Sequence, residues 1–541
     1  MKNKKLLCDE NCLYIYFSDQ IKHSLIEDDL SDVPLNSHVV VALLSDNEMD
    51  SVKSNGCYTV LSATSIGKLI ELVVQEVKIT AFDTWQPLLI DENNGISNKL
   101  TLDFYRGVSE NFNNTVISRN TSAFKSRVFL ENAFTNLHLV QKSIGFESLF
   151  DADDCRPVLI IGGGPSLDKQ LHLLKVFRNK FRIIVPGSVY PALQNTGIVP
   201  DIILITDANN VCLWDENIDS IIAADIGCNS EVLDKKYKNL FLSTHTPQQR
   251  DLFSYLGIDI KAIPSGGSVS NSAYSLARML KAEIIIFIGM DMALTDGKDH
   301  SKFHGHQYDK TTLDKKLSSA LKVKGYFGDE VLSERNLVTY KKWFEKYIVS
   351  DKKTLVFNCT EGGANIDGCF NVPFKEVCDT LPQIQYIESN PCNHNTSHTE
   401  VVDESLIKAL KLLRVSITKM QKLLSELIMY LNDQQDINRK FKRIDKFNLK
   451  LKKLDASAKM LIEAFSDGQV NTALARIEKF KYTSQDQGLL GLYVLLYKAM
   501  LHGAKSSSFL LKGVIGDLSN DMNLRSHGKV KNKMSDRASI A

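Results

Sequence analysis

The chain has 541 residues, 43% of them apolar and 24% charged. That length fits roughly three or four domains, and that balance excludes a disordered chain. Sixty-five Lys and Arg against 64 Asp and Glu leave a net charge of +1, which argues against a dedicated nucleic-acid binder; mean hydropathy is −0.13 and no run of about 18 apolar residues occurs, so no membrane span is expected.

The opening stretch is basic, but Asp9, Glu10 and Asn11 interrupt it, which argues against a cleaved signal peptide. Residues 1–117 read as a small α/β domain. HVVVALLSD (38–46) and YTVLSA (58–63) predict strands, and SIGKLIELVVQEV (65–77) an amphipathic helix. Residues 118–147 have helical spacing, with Phe124, Val128, Phe134 and Leu137 as a core stripe. The segment 118–390 reads as the central domain. Its strands are 156–163, 182–187, 201–207, 220–227, 239–244 and 282–291. Their near-continuous Val/Ile/Leu runs indicate strands buried on both faces of a mostly parallel, Rossmann-like α/β sheet. SNPCNHNTSHTE (389–400) reads as a linker. In 400–524, Leu406, Leu410, Leu413, Ile417, Met420, Leu424, Leu427 and Leu431 follow a 4-3-4-3 spacing, the seam of a helical bundle. A second helix is expected to carry Ile437, Phe441, Ile444, Leu451, Leu454 and Leu461. Eight Lys and Arg between Arg439 and Lys453 read as a solvated face or a dock for an acidic surface. The polar tail 525–541 is expected to be disordered. The ten cysteines contain no CxxC and no zinc spacing, which fits a reducing cytoplasm.

Five stretches carry the residue types of chemistry. VLIIGGGPSL (158–167) ends a buried strand in Gly162, Gly163 and Gly164 before Pro165 and Ser166. Glycines admit a ligand to the backbone, and a helix N-terminus attracts an anion, so a phosphate or carboxylate cradle is expected. It is neither the dinucleotide fingerprint, whose third glycine is here Leu167, nor a Walker A loop. PDIILITD (200–207) puts Asp207 at the carboxyl end of a strand, where open α/β sheets bind ligands; Asp201 lies at the opposite end. IPSGGSVSN (263–271) offers Ser265, Gly266, Gly267, Ser268 and Ser270 before a second helix, a second anion site. FIGMDMALTDGKDHSKFHGH (287–306) brings Asp291 to a strand end and His300, His304 and His306 to a polar loop. A loop at this edge suits a base, and His300 is the expected one; three histidines also leave a metal reading open. NCTEGGANIDG (358–368) places Thr360 and Glu361 as a pocket wall or a plain turn.

Taken in order, GGGPSL, PDIILITD, SGGSVSNSAYSLA, IGMD with DGKDH, and TEGGANIDG resemble the motility-associated factor (Maf) flagellin glycosyltransferases. Their central domain is shared with hydroxymethylpterin diphosphokinase-like proteins and is similar to bacterial sialyltransferases. The resemblance implies transfer of a nonulosonic acid, pseudaminic or legionaminic, from its CMP form to Ser or Thr of flagellin. No cofactor is required on that reading. It implies that Gly162, Gly163, Gly164, Pro165, Ser166, Asp207, Ser265, Gly266, Gly267, Ser268, Thr360 and Glu361 hold the nucleotide sugar, and that His300 and Asp291 are catalytic. Asp299, directly before His300, departs from the small hydroxylated residue of the family pattern. The alternatives are a pyrophosphokinase using Mg²⁺ between Asp207 and Asp291, and a non-catalytic flagellin-binding chaperone.

Overall fold

The computed structural model describes strand residues 12–16, 38–43, 58–63 and 86–90, residues 70 and 107–108, and then 126–149, 154, 156–209, 218–235, 237–302, 304, 310–351, 353–381, 404–466, 468–480 and 486–538. The chain divides into two compact units. One holds 1–126, 417–455 and 461–507, the other 127–416, 456–460 and 508–541. The linker 389–400, Phe124, His306 and, apart from Ile70, the helix expected over 65–77 lie outside the described residues; Ile70 itself is helical and buried.

In the first unit, β1 (Cys12–Tyr16), β2 (His38–Leu43), β3 (Tyr58–Ala63) and β4 (Gln86–Ile90) pair in parallel in the order β3-β2-β1-β4. Parallel neighbours need crossover connections, so the Val/Leu-rich runs here belong to an α/β arrangement.

The second unit holds one large parallel sheet. Its strands are β5 (Val158–Ile161), β6 (Arg182–Pro186), β7 (Ile202–Ile205), β8 (Ile221–Asp225), β9 (Leu240–Thr244), β10 (Lys261–Ala262), β11 (Ile284–Ile288), β14 (Leu355–Asn358) and β15 (Phe370–Asn371). β12 (Leu321–Lys324) and β13 (Glu330–Ser333) form a separate antiparallel hairpin. The order in the sheet is β10-β9-β8-β7-β6-β5-β11-β14-β15. The six strands expected from apolar runs are all present, and each is almost wholly buried on both faces. Helices α1 (Leu167–Phe177), α2 (Val269–Met279) and α3 (Arg335–Ser350) follow β5, β10 and β13. Tyr274 of α2, Phe287 of β11 and Phe344 of α3 meet in a buried aromatic cluster, with ring centroids 5.3–6.2 Å apart. The stripe at 118–147 packs as expected at Phe134 and Leu137, while Val128 is half-buried.

The C-terminal part is helical: α4 (Glu404–Asn432), α5 (Ile437–Leu451), α6 (Ala456–Ala464), α7 (Gln469–Phe480) and α8 (Asp486–Ala538). All eight seam residues of α4 are buried. The second helix expected through Leu461 is interrupted, because Lys453 and Leu454 close tight i→i+3 bonds that end α5. The backbone of 525–541 is helical as far as Ala538 rather than disordered; no proline follows Pro391 to stop it. Of the basic run in α5, Lys440 is buried and the other seven side chains are exposed.

Asp201 lies at the amino edge of the sheet, away from Asp207. Its carboxylate accepts from Arg178 at 2.8 Å, from Arg156 at 3.3 Å and from the Ile183 N–H at 2.7 Å. Asp154 completes the network on Arg156 at 2.8 Å. Burial pushes the Asp154 carboxyl up, but hydrogen bonds and charge from Arg156 outweigh it and hold the group below its usual range. Asp201→Ala is therefore expected to lower unfolding stability by about 3 kcal/mol, the low end for a broken buried pair, read by urea denaturation. Because the folded Asp154 value is the lower one, its contribution is complete above the unfolded value, about 3.9. It disappears as pH falls through the folded value, and an acid titration of stability in Asp154→Asn should show that step missing.

Candidate active site

The chain runs outward from β5 to β10, then returns to lay β11 against the other side of β5. The point where strand order reverses is where open α/β sheets bind ligands. A cleft of about 310 Å³ opens there, at the carboxyl edge. It is lined by the turns after β5, β6, β7 and β11, by the start of α2, by Tyr340 of α3 and by the His300 loop.

The two central strand ends are closed by glycine. The N–H groups of Gly162 and Gly164 donate to Ile288 and Gly289 carbonyls, both at 2.8 Å. A Cβ on Gly162 would meet the Gly289 carbonyl oxygen at 2.3 Å, and one on Gly164 would meet Asp291 Oδ1 at 1.9 Å. Asp291 is buried. Its Oδ1 accepts from Ser166 Oγ at 2.6 Å and its Oδ2 from Thr295 Oγ1 at 2.6 Å, while the Ser166 N–H points to both oxygens at 3.3 Å. Burial pushes its carboxyl above the usual range, and these donors pull back only part of the shift. The anion at the start of α1 is thus the chain's own Asp291. The expected cradle for an external phosphate is already filled, and the expected catalytic carboxylate is committed to fastening two loops. Gly363, at φ +70°, closes on the same residue: a Cβ there would meet the Asp291 carbonyl oxygen at 2.2 Å.

Helix α2 is different. Ser268 and Asn271 form a capping box, with Ser268 Oγ accepting from the Asn271 N–H at 3.2 Å and Asn271 Oδ1 from the Ser268 N–H at 3.3 Å. Val269 and Ser270 line the cleft, and N–H groups at the first two helical positions have no intrahelical partner. The positive end of the dipole adds to them. The anion-accepting helix start in this cleft is that of α2.

The structure therefore brings together Gly162, Gly163, Gly164, Asp207, Ser268, Asp291 and His300 around the cleft. Pro165, Ser166, Ser265, Gly266, Gly267, Thr360 and Glu361 are not among its lining residues. Gly266 and Gly267 instead admit α3, since a Cβ there would meet Trp343 at 2.4 Å and Tyr340 at 2.8 Å. Thr360 Oγ1 accepts from the Met290 N–H at 3.2 Å, and Glu361 accepts from the Phe374 N–H at 2.9 Å, so both brace the β11 and β14 ends. Ser188, Thr206 and Tyr340, which the sequence did not single out, also line the cleft, as do Asp299 and His304, the latter expected in the loop only as a metal ligand. Ser188 had a signal: it follows the apolar run 182–187, at the same edge as Asp207.

Beyond the cleft, at the ends of β8 and β9, the Asp225 carboxylate takes a hydrogen bond from His245 Nδ1. Burial lowers the proton affinity of His245, yet Asp225 offsets it and holds the imidazole above its ordinary range. Among the described residues, no group of three His, Cys, Asp or Glu is placed to hold a metal ion.

With the site in view, similarity to known proteins can be placed on it. The fold is shared with the structure of a Maf glycosyltransferase from Magnetospirillum magneticum AMB-1, at a TM-score of 0.54 and 13% identity, over 94% of this chain and 80% of that one. Residues 128–297, which include the β5, β7, β11 and α2 segments of the cleft, match the family described as 6-hydroxymethylpterin diphosphokinase MptE-like. A 6-hydroxymethyl-7,8-dihydropterin pyrophosphokinase from Methanocaldococcus jannaschii is 30% identical over 179 residues, which is 31% of this chain and 71% of that protein. At that identity and over that share of the relative, the chain belongs to the MptE-like family, through the part of the sheet that builds the cleft.

Proposed function

We propose that the chain is a cytoplasmic glycosyltransferase that moves a nonulosonic acid, of pseudaminic or legionaminic type, from its CMP form to a Ser or Thr hydroxyl of flagellin. The observation that carries the reading is the make-up of the cleft. An anion-accepting helix start, Ser268 to Ser270, shares the cleft with a histidine loop, and no Lys or Arg is among the described lining residues. A CMP-nonulosonate brings a phosphate and a carboxylate, and the α2 N–H groups with the Ser270 hydroxyl suit one of them. Asp207, whose Oδ1 accepts from the Asn209 N–H at 3.0 Å, suits a sugar hydroxyl. His300 takes the acceptor proton. The new C–O bond forms at the anomeric carbon, and the bond to phosphate breaks with its electron pair left on CMP. The shared fold of the Magnetospirillum glycosyltransferase, which spans nearly the whole chain, supports this reading.

The family match favours a second reading, pyrophosphoryl transfer from ATP with magnesium. Asp291 already spends both oxygens on Ser166 and Thr295, so an ion held between it and Asp207 would have to displace those donors.

The deciding experiment incubates the purified chain and flagellin with CMP-pseudaminic or CMP-legionaminic acid, and separately the chain with ATP and 6-hydroxymethyl-7,8-dihydropterin. A nonulosonate mass increment on flagellin with CMP release is the expected result. AMP release in the second reaction would move the assignment to the kinase, and neither product with intact flagellin binding would move it to a chaperone. Within the first outcome, His300→Ala lowers transfer about 10²–10⁴-fold, the range of a positioned base, and leaves the melting temperature unchanged. The wild-type rate falls in acid, where His300 gains a proton and can no longer accept one. Asp291→Ala, by contrast, lowers the melting temperature first, because it strips the acceptor from two hydroxyls and the Ser166 N–H.

A further inference from the structure

The loop that carries His300 is fastened to the elements beneath it. Asp299 Oδ2 lies 3.1 Å from Lys316 Nζ, which also reaches Glu334 at 3.1 Å. The Ser301 N–H donates to the Gly163 carbonyl at 2.9 Å, and the Lys302 N–H to Asp168 Oδ2 at 3.1 Å. His304 is the deepest anchor. Its side chain is buried, and its Nε2 lies 3.0 Å from Ser188 Oγ in the turn after β6. Its ring occupies the space above Gly163, where a Cβ would meet Cδ2 at 2.6 Å and Nε2 at 2.8 Å. The His300 ring stacks on this ring, with centroids 4.0 Å apart and planes inclined by 17°.

The χ2 torsion of a histidine is broad, so a half-exposed imidazole on a loop needs a flat neighbour to hold its plane. The His304 ring is that neighbour, and Ser188 and the Gly163 backbone hold it in turn. The stack also ties the two titrations together. A second positive charge about 4 Å from the first is disfavoured, so the pair takes up its protons in two coupled steps. The surrounding charges do not cancel this. Asp299 is paired to Lys316, Asp291 is bound by Ser166 and Thr295, Asp168 of α1 accepts from the Lys302 amide, and Asp207 stands on the cleft wall after β7. These carboxylates favour the first proton on the pair, and that proton then opposes the second.

We propose that His304 and Ser188 are positioning residues for His300: the Ser188 hydroxyl fixes the His304 ring, and the stacked His304 ring fixes the plane of His300 and ties its titration to its own. The proposal rests on the proton-accepting role given to His300 above.

The test uses the full chain in two arms. In the first, ring signals of His300 are followed by NMR against pH without substrate. In wild type His300 responds to two coupled steps. In His304→Phe, which keeps a flat ring and removes the second titrating group, it titrates in one step. In the second arm, His304→Ala lowers kcat for transfer about 10²-fold, the cost of a misplacement of about 1 Å, with KM for the CMP-sugar unchanged. His304→Phe retains most of the rate, Ser188→Ala loses less than His304→Ala, and the Ser188→Ala/His304→Ala double variant is no worse than His304→Ala alone, as expected of residues acting in series. Single-step titration of His300 in wild type overturns the coupling, and unchanged kcat in a folded His304→Ala overturns the positioning. Should wild type transfer no sugar at all, the proposed function fails while the substrate-free titration still decides the stack.

Discussion

One buried carboxylate organises the centre of this protein. Asp291 follows β11 and is reached by two glycine-bearing turns, Gly164 from the β5 side and Gly363 beyond β14, while Gly289, just ahead of it in its own turn, closes on Gly162. Each lacks a side chain because none would fit. The carboxylate also accepts from the N–H of Ser166, the residue just before α1, so a negative group from inside the protein faces the positive end of that helix dipole. Burial alone makes such a group costly, and the cost is offset by two hydroxyls and the Ser166 amide. The motifs that look like ligand loops in the sequence are here largely the joinery that lets two strand ends and a third loop meet.

This explains both what the sequence revealed and where it misled. The six strands were legible because a strand buried on both faces must be apolar throughout, and little else produces such short continuous runs. The seam of α4 was legible for the same reason at helical period. Asp207 and His300 were legible because carboxyl edges of parallel strands collect chemistry. The role of GGGPS was not, since a glycine required by a facing backbone and a glycine required by a phosphate are written identically. The same holds for Gly266 and Gly267, which make room for Trp343 and Tyr340. Ser188 and its partnership with His304 were missed because that contact crosses more than a hundred residues of chain and has no local spacing. Short β10, β15 and the β12–β13 hairpin gave too few residues for a pattern.

The cleft has an unusual electrical character for a site proposed to take an anionic donor. Its described lining contains three carboxylates and no Lys or Arg, yet Asp291 is tied up by two hydroxyls and Asp299 is paired to Lys316. What remains to meet a negative ligand is backbone amide at the start of α2 and whatever proton the stacked histidines hold. Recognition of that kind relies on fixed dipoles. It selects by shape and geometry more than by charge.

The return of β11 to the side of β5 has a further consequence, in time rather than in space. Ile285 pairs with Val158, so the two halves of the cleft are separated in sequence by the whole of β6 to β10. Contacts of such long range close late, because the intervening loop must be ordered first. During synthesis, at roughly 5–20 residues per second, β5 to β9 can assemble while the edge of β5 that will receive β11 is still bare. The glycine seam is then the last central joint to form. Until β11 arrives the backbone N–H and C=O groups along that edge of β5 stay unpaired, and the interval is when the nascent sheet is most open to pairing with another chain.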